Sequence, residues 1–148
     1  MSAGSRLTLT ARPARDAAEV RAAMDLRVRV FCDEQRVDPK AELDGVDDEA
    51  TQIVALEDGV VIATCRLRLM DGTCKLERMA VERPYRGSGA GHTLLEAAED
   101  EARRQGASVM LLHAQRRAEG FYAAAGYLAE GEPFIEEGIE HVRMRKAL

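Results

Sequence analysis

The sequence predicts a single α/β (α+β) domain over residues 1–148, built on one mixed, mostly antiparallel sheet flanked by helices. Three observations predict this fold: a meander of strands in the middle of the chain, a helix that opens on a glycine-rich run, and a short apolar strand after that helix. A chain of this length buries a core without disulfide or metal cross-links. Because no repeat, linker or low-complexity segment divides it, we expect one domain with about six to seven strands.

The first elements are a short strand and a helix. Alternating apolar residues predict a strand at residues 7–10. Asp16 indicates a helix cap, and apolar residues on one helical face predict a helix over residues 17–30. Eight acids and only two basic residues lie between residues 33 and 49, where the composition predicts a long acidic loop.

Two hairpin turns divide the central meander. Asp58-Gly59 and Asp71-Gly72 join three predicted strands at residues 52–57, 60–70 and 74–81. The glycine-rich run that follows opens a helix to about residue 105. The remaining elements are predicted as a buried strand at residues 109–113 that suits parallel pairing, a helix at 117–125, and strands at 127–132 and 139–145.

Composition argues against several classes of protein. The net charge of -5 and an aromatic content of 4% disfavour a nucleic-acid partner. The three cysteines form no CxxC pair and the three histidines lack metal-ligand spacing, so we expect neither a disulfide framework nor a metal. No apolar stretch approaches the ~20 residues that span a bilayer, and the N-terminus lacks a signal peptide. We therefore expect a cytoplasmic protein without a membrane partner.

The strongest chemical signal is the run Arg86-Gly87-Ser88-Gly89-Ala90-Gly91 between a strand and a helix. A helix N-terminus presents unpaired N–H groups to phosphates, and glycine lets the backbone approach them closely. The P-loop pattern fails because no lysine follows the glycines, and the dinucleotide fingerprint fails because its third position is His92. The pattern that remains, [RQ]-x-x-G-x-[GA], is met at Arg86, Gly89 and Gly91.

Together with its neighbours, this loop resembles the coenzyme A motif of the GNAT superfamily of N-acetyltransferases. Residues 76–81 and Arg83-Pro84-Tyr85 are similar to the fourth strand of that family and its approach to the loop, and residues 120–127 are similar to its FYxxxGF signature. The resemblance implies a GNAT fold whose sheet is splayed between the fourth and fifth strands.

Further segments resemble the ElaA-like branch of that superfamily. They are Val30-Phe31-Cys32-Asp33-Glu34-Gln35 with the later Glu42, Asp44 and Asp47, the run Leu112-His113-Ala114-Gln115, and residues 134–144. One departure is Gln52, which stands where that branch usually has histidine.

The resemblance implies transfer of acetyl from acetyl-CoA to an amine, by direct attack through a tetrahedral intermediate. The acceptor is an amine of a small molecule, or the lysine or N-terminal amine of a protein, and the resemblance admits a homodimer. Two other functions stay open: a coenzyme A-binding sensor or regulatory module without turnover, and an interaction partner that pairs through its edge strands.

Two residues are candidates for the chemistry. Tyr122 lies in the FYxxxGF context, and a phenol with a pKa near ~10 stays protonated at pH 7 and can protonate the departing thiolate. Glu77 is the candidate base, and strand alternation predicts that it shares a face with Met79 and Val81. Glu34 is the second candidate base, and water is a third possibility.

The resemblance also implies binding residues. Cofactor contacts are expected from Met79, Ala80, Val81, Arg86, Gly87, Ser88, Gly89, Ala90, Gly91, His92, Gln115 and Phe121, and acceptor contacts from Glu34, Asp44 and His141. The backbone N–H groups around Met79 and Val81 are expected to stabilise the oxyanion.

Overall fold

The structure, a computed structural model, describes residues 9–148, so the predicted strand at residues 7–10 lies partly outside the described residues. Its strands are β1 (Leu9–Pro13), β2 (Thr51–Glu57), β3 (Val60–Met70), β4 (Thr73–Val81), β5 (Val109–Gln115), β6 (Leu128–Glu136) and β7 (Ile139–Ala147). Its helices are α1 (Ala17–Arg27), α2 (Pro39–Glu42), α3 (Ala90–Arg104) and α4 (Glu119–Ala124). A π-helical segment (Val28–Glu34) and short 3₁₀ turns at Asp47–Glu49, Arg83–Tyr85 and Arg116–Ala118 complete the described chain.

All seven strands form one sheet in the order β1-β2-β3-β4-β5-β7-β6. Every neighbouring pair is antiparallel except β4 and β5, which are parallel. The predicted mixed, mostly antiparallel sheet is therefore confirmed. Helix α3 packs on one face through residues such as Leu94, and α1 packs on the other face through residues such as Leu26.

The sheet opens in its middle. β4 pairs with β5 only from Thr73 to Leu76, which lies opposite Leu112. Beyond this pair β4 continues to Val81 along β3, whereas β5 continues to Gln115 along β7. The predicted splay between the fourth and fifth strands is confirmed, and it leaves a gap between them.

A β-bulge shifts the side-chain alternation of β4 at the point where the sheet opens. Glu77 lies opposite Arg66 and Ala80 lies opposite Thr64, so β4 has one more residue than β3 in this interval. The extra residue is Arg78, which has a φ of 58°. Before the bulge an even-numbered residue, Leu76, packs in the α3-side core. After the bulge the odd-numbered Met79 and Val81 pack there.

The predicted alternation of β4 is therefore wrong. Glu77 lies on the face of its cross-strand partner Arg66, whereas Met79 and Val81 lie on the opposite face. Period-two alternation holds only in a regular strand, and the bulge at Arg78 shifts it by one position.

The predicted helix over residues 17–30 and the predicted acidic loop over residues 33–49 also need correction. α1 ends at Arg27, but the chain stays helical as a π-helical segment to Glu34. The acidic stretch then contains α2, which is capped by Asp38 and begins with Pro39, and a 3₁₀ turn. Local capping and ion pairs with the sheet, described below, order a segment whose composition alone indicates a loop.

Candidate active site

A cleft of about 1150 Å³ lies where β4 and β5 separate. It extends from the glycine loop past α4 to the β6–β7 hairpin, and the π-helical segment forms its other wall. The predicted site residues that line it are Glu34, Asp44, Glu77, Met79, Ala80, Val81, Arg86, Gly87, Gly89, Gly91, His92, Gln115, Phe121, Tyr122 and His141. The other two predicted residues, Ser88 and Ala90, belong to the glycine loop but do not line the cleft.

The glycine loop positions the N-terminus of α3 beside this cleft. Gly87 and Gly89 have φ values of 80° and 94°, in the left-handed region that only glycine adopts without strain. The hydroxyl of Ser88 donates to the carbonyl of Tyr85, which closes the turn. Ala90 is the first residue of α3 and its side chain is fully buried, so it offers the cleft its backbone alone.

Arg86 and Phe121 fix the position of the loop. Nε of Arg86 donates to the carbonyl of Val81 at 2.9 Å, and its guanidinium lies 2.8 Å from Glu34. A Cβ on Gly91 would lie 3.4 Å from the ring of Phe121, so α4 packs closely against the first turn of α3. His92, in the same turn, is exposed and lies 3.3 Å from Glu96.

Tyr122 projects from α4 into the cleft as a buried phenol. Its hydroxyl donates to Sδ of Met79 at 3.3 Å, and its ring packs edge-on against Phe121 and Tyr127. Burial, followed by the proximity of Cys65, raises the pKa of Tyr122 well above the ordinary phenol value. The phenol is therefore protonated at neutral pH and donates a hydrogen bond within the cleft.

Glu77 has three cationic partners. Its carboxylate lies within 3.3 Å of Arg66, Arg68 and Lys75. Burial alone would raise its pKa, but the hydrogen bond from Arg68 and the charges of Arg66 and Lys75 outweigh burial and lower the pKa to about 2. A carboxylate with so low a pKa accepts a proton poorly, which weighs against Glu77 as the base.

Glu34 and Asp44 are paired as well. Glu34 contacts Arg86 and Arg83, and although burial acts to raise its pKa, these two cations lower it overall. The hydrogen bond from Arg66 is the main cause of a strongly lowered pKa at Asp44, helped by the N–H of Val46. Both carboxylates are therefore engaged by the protein's own cations.

Asp44 belongs to a buried arginine–carboxylate network. Arg27, fully buried, lies 2.6 Å from both Glu42 and Asp47, and Arg66 lies 2.6 Å from Asp44. The acidic residues that resemble the ElaA-like opening thus fasten the segment after α1 to the sheet. Gln52, the position of the missing histidine, donates to Asp47 at 3.1 Å and so belongs to the same network.

Two residues from separate ElaA-like segments meet across the cleft. Nε2 of Gln115, at the end of β5, donates to Oε1 of Gln35 at 2.8 Å. Gln35 follows the π-helical segment, so this hydrogen bond joins the two walls of the cleft.

Sequence reasoning missed a cluster that lines the cleft near the β6–β7 hairpin. Nδ1 of His113 lies 3.1 Å from Glu136, and Nε2 of His141 lies 3.9 Å from the same carboxylate. Phe134 packs between the two imidazoles, with ring centroids 5.0 Å and 5.9 Å away. Only His141 was predicted, because the strand register that brings the cluster together is not visible in any single segment.

The sequence and the fold are both similar to those of known proteins. A family model described as an acetyltransferase (GNAT) domain matches residues 17–148. The chain is 36% identical to the uncharacterized N-acetyltransferase YjcF of Bacillus subtilis, over 90% of this chain and 96% of YjcF. An acyl-CoA N-acyltransferase from Pseudomonas aeruginosa has a TM-score of 0.81 at 30% identity, covering 95% of this chain and 100% of that one. ElaA of Escherichia coli shares the fold with a TM-score of 0.81 at 22% identity, covering 95% of this chain and 99% of its own.

Fold and relatives together define an acyltransferase enzyme. The chain belongs to the GNAT family of acetyltransferases, as its strand, loop and FYxxxGF motifs predicted. Within residues 9–148 no helix is both long and apolar enough to cross a bilayer. In the same part of the chain no three His, Cys, Asp or Glu side chains converge as metal ligands would.

Proposed function

We propose that this enzyme transfers the acetyl group of acetyl-CoA to an amine, by direct attack of the amine nitrogen on the thioester carbonyl. The observation that carries the proposal is the meeting of two features in one cleft. The glycine loop at the start of α3 lines one end of the cleft, and the buried, protonated Tyr122 lines the same cleft further from that end.

The loop fits the pyrophosphate of coenzyme A. A Cβ built on Gly87 or Gly89 meets no atom within 4 Å, so the backbone there borders open space. The first N–H groups of a helix have no acceptor within the helix, and the helix dipole adds positive potential at the same place. The guanidinium of Arg86, 41% exposed, adds a positive charge beside the loop.

The gap between β4 and β5 fits the rest of the cosubstrate. Beyond Leu76 no strand within residues 9–148 pairs with that edge of β4. The backbone groups of residues 77–81 on this edge are available to hydrogen-bond the cosubstrate and to stabilise the oxyanion. The side chains of Met79 and Val81 face the same side as Tyr122, which packs in the α3-side core.

Tyr122 supplies the proton that the departing thiolate needs. Its hydroxyl already donates to a sulfur atom, Sδ of Met79. The phenol therefore lies beside the part of β4 that no longer pairs with β5. Acetyl-CoA, when bound, supplies the activated acyl group, and the chain orients it, excludes water and moves protons.

The acceptor is an amine of a small molecule, or the lysine or N-terminal amine of a protein. The cleft is open towards the β6–β7 hairpin, where Glu136 and His141 lie at its surface. Cytoplasmic location, a homodimeric state, independence from metals, and the absence of nucleic-acid and membrane partners stay predictions from the sequence.

The Tyr122→Phe variant tests the proposal. Its turnover number should fall by about 100-fold or more, the usual contribution of general acid catalysis, while its affinity for acetyl-CoA changes little. Amine-dependent thiol release gives the turnover, and calorimetric titration gives the affinity. Unchanged turnover in a correctly folded variant would remove Tyr122 as the acid.

A further inference from the structure

The cluster of His113, Glu136 and His141 has no role in the steps above, yet it lines the cleft. His113 projects from β5, Glu136 from β6 and His141 from β7. The three side chains are 24%, 43% and 9% exposed, so the cluster lies at the wall of the cleft and is open to a ligand.

His113 occupies the point where the sheet opens. Leu76 and Leu112 form the last pair between β4 and β5, so Glu77 and His113 are the first residues past it. Leu112 and Ala114 face the α3-side core, which directs His113 to the other face. Glu77 lies on that same face, with its partner Arg66. Two ionisable side chains therefore lie at the vertex of the gap.

Glu77 and His113 differ in the charged groups that surround them. Three cations surround the carboxylate of Glu77, which leaves it little capacity to take a proton. His113 has a single ion-pair partner within residues 9–148, the carboxylate of Glu136. Of the two groups at the vertex, His113 is the one that cations do not surround.

Glu136 selects the tautomer of His113. An ionised carboxylate only accepts hydrogen bonds, so Nδ1, 3.1 Å from Glu136, carries the ring proton of the neutral imidazole. The lone pair is then on Nε2, which forms no hydrogen bond to any of the described residues. A carboxylate that orients a histidine in this way is the arrangement by which enzymes prepare an imidazole to act as a base.

Phe134 and His141 hold this arrangement in place. Phe134 packs edge-on against His113 and stacks on His141 with an interplanar angle of 22°. Nδ1 of His141 donates to the carbonyl of Ile139 at 2.7 Å, which fixes the second imidazole against the hairpin. The position of Glu136 between two anchored rings keeps its carboxylate at the acceptor end of the cleft.

We propose that His113 is the catalytic base, that Glu136 is its positioning residue, and that the acceptor amine binds in the gap beside Nε2 of His113. This inference rests on the proposed function, and it assigns the base to a residue other than Glu77, Glu34 or water, the candidates that the sequence left open. The negative charge of Glu136 also attracts the ammonium form in which an alkyl amine arrives.

The protons balance as follows. The ammonium loses one proton to Nε2 of His113, and the freed lone pair forms the bond to the carbonyl carbon. The carbon–sulfur bond breaks, its electron pair leaves with the sulfur, and the sulfur takes the phenolic proton of Tyr122. The second proton lost by the nitrogen returns Tyr122 to its phenol form, and His113 releases its proton to solvent.

Chemical rescue tests the base. His113→Ala should lower turnover by about 100-fold or more with nearly unchanged affinity for acetyl-CoA, and added imidazole should restore part of the rate. Failure of imidazole to rescue a folded variant, or a rate close to that of the unmodified enzyme, would overturn the proposal. Wild-type protein that transfers acetyl to no amine would instead overturn the proposed function, and the base with it.

The tautomer gives a test that needs no turnover. In ¹⁵N-histidine NMR spectra of the ligand-free protein at mildly alkaline pH, His113 should be protonated on Nδ1. Glu136→Ala should lose this preference and reduce turnover, whereas the same change at the exposed Glu132 of β6 should alter neither. A wild-type His113 protonated on Nε2, or an unchanged tautomer in Glu136→Ala, would contradict the role of Glu136.

Discussion

At the scale of single residues, Glu77 shows how much a carboxylate depends on the cations around it. Arg66 contributes a fully buried guanidinium on the neighbouring strand, and Arg68 and Lys75 complete the surroundings. Because the side chain of Glu77 is only 12% exposed, these charges are weakly screened by water. We therefore assign Glu77 to the stability of the sheet near the cleft.

This assignment predicts a pH-dependent loss of stability. The pKa of Glu77 falls from 4.5 to about 2 on folding, so its ionised form stabilises the native state above pH 4.5 and that contribution disappears as the pH falls towards 2. A shift of this size corresponds to at most about 3 kcal/mol. Glu77→Gln should lower the free energy of unfolding at neutral pH, and the difference from wild type should shrink in acid.

Denaturant unfolding at a series of pH values measures this difference. The exposed Glu132 offers a matched control, and Glu132→Gln should change the free energy of unfolding little at any pH. A destabilisation by Glu77→Gln that stays constant from neutral to acid pH would show that the ion pairs are not its source.

Sequence reasoning identified Glu77 as a functional candidate but assigned it to the wrong face of β4, the face of Met79 and Val81. The face depends on one extra residue in β4, Arg78, whose left-handed φ has no signature in the residue type. Tyr122 was easier, because the motif that contains it is local and short. Its burial and its hydrogen bond to Met79 follow from packing between distant segments.

At the scale of elements, the glycine loop and α3 form the unit for the cosubstrate. Gly89 precedes the first residue of α3 and Gly72 lies in the β3–β4 hairpin, and both have left-handed φ values, 94° and 80°. A side chain at either position meets no neighbouring atom within 4 Å. The two glycines therefore carry similar backbone strain when substituted, but only one lies at the cleft.

Comparing Gly89→Asp with Gly72→Asp separates the effect of backbone strain from the effect on coenzyme A binding. Each should cost about 1 kcal/mol of stability, since the backbone requires a left-handed conformation. Only Gly89→Asp should weaken coenzyme A binding, by about 100-fold or more, because it puts a negative charge beside the phosphates. Thermal unfolding and calorimetric titration measure the two effects. Equal coenzyme A affinity in both variants would contradict the loop assignment.

The acidic segment shows the limit of composition at this scale. Its charge density indicates a solvated loop, yet Glu42 is buried against Arg27, and Asp44 and Asp47 pair with Arg66. Their cationic partners lie on α1 and β3, far away in the sequence, so no local pattern could reveal the pairing. The strands of the meander were predictable because their turns are encoded next to them.

At the scale of the whole molecule, Arg27 links three parts of the fold. It lies at the end of α1, and it binds Glu42 of α2 and Asp47 of the following turn at 2.6 Å. Asp47 in turn contacts Arg66 of the sheet at 3.2 Å. One side of the cleft is therefore held to the sheet by buried charges.

Breaking this link should destabilise the fold strongly. Arg27→Met removes a buried guanidinium that Glu42 and Asp47 share, so that Glu42 keeps Arg78 and Asp47 keeps Arg66 as a cationic partner, and a cost of about 3–5 kcal/mol is expected. Arg29→Met removes a 48% exposed guanidinium that pairs with Glu82 and should cost about 1 kcal/mol or less. Chemical denaturation compares the two. Similar small losses would show that the network does not hold the segment.

The general architecture was predictable from the sequence at this scale, and the acceptor side was not. Element order follows from local patterns, and the splay was implied by the resemblance that motifs close together in the chain carry. The cluster of His113, Glu136 and His141 depends on how β5, β6 and β7 align. The sequence therefore predicted only His141 as a site residue and did not bring the three side chains together.

Acetyl transfer can be measured directly with isotopically labelled acetyl-CoA and a panel of small amines, peptide N-termini and lysine peptides. We expect the label to appear as an amide on at least one class of amine, in equal amount to the thiol released, and Tyr122→Phe to slow both together. Coenzyme A binding without label transfer to any amine would contradict it and would favour a sensor that has lost turnover.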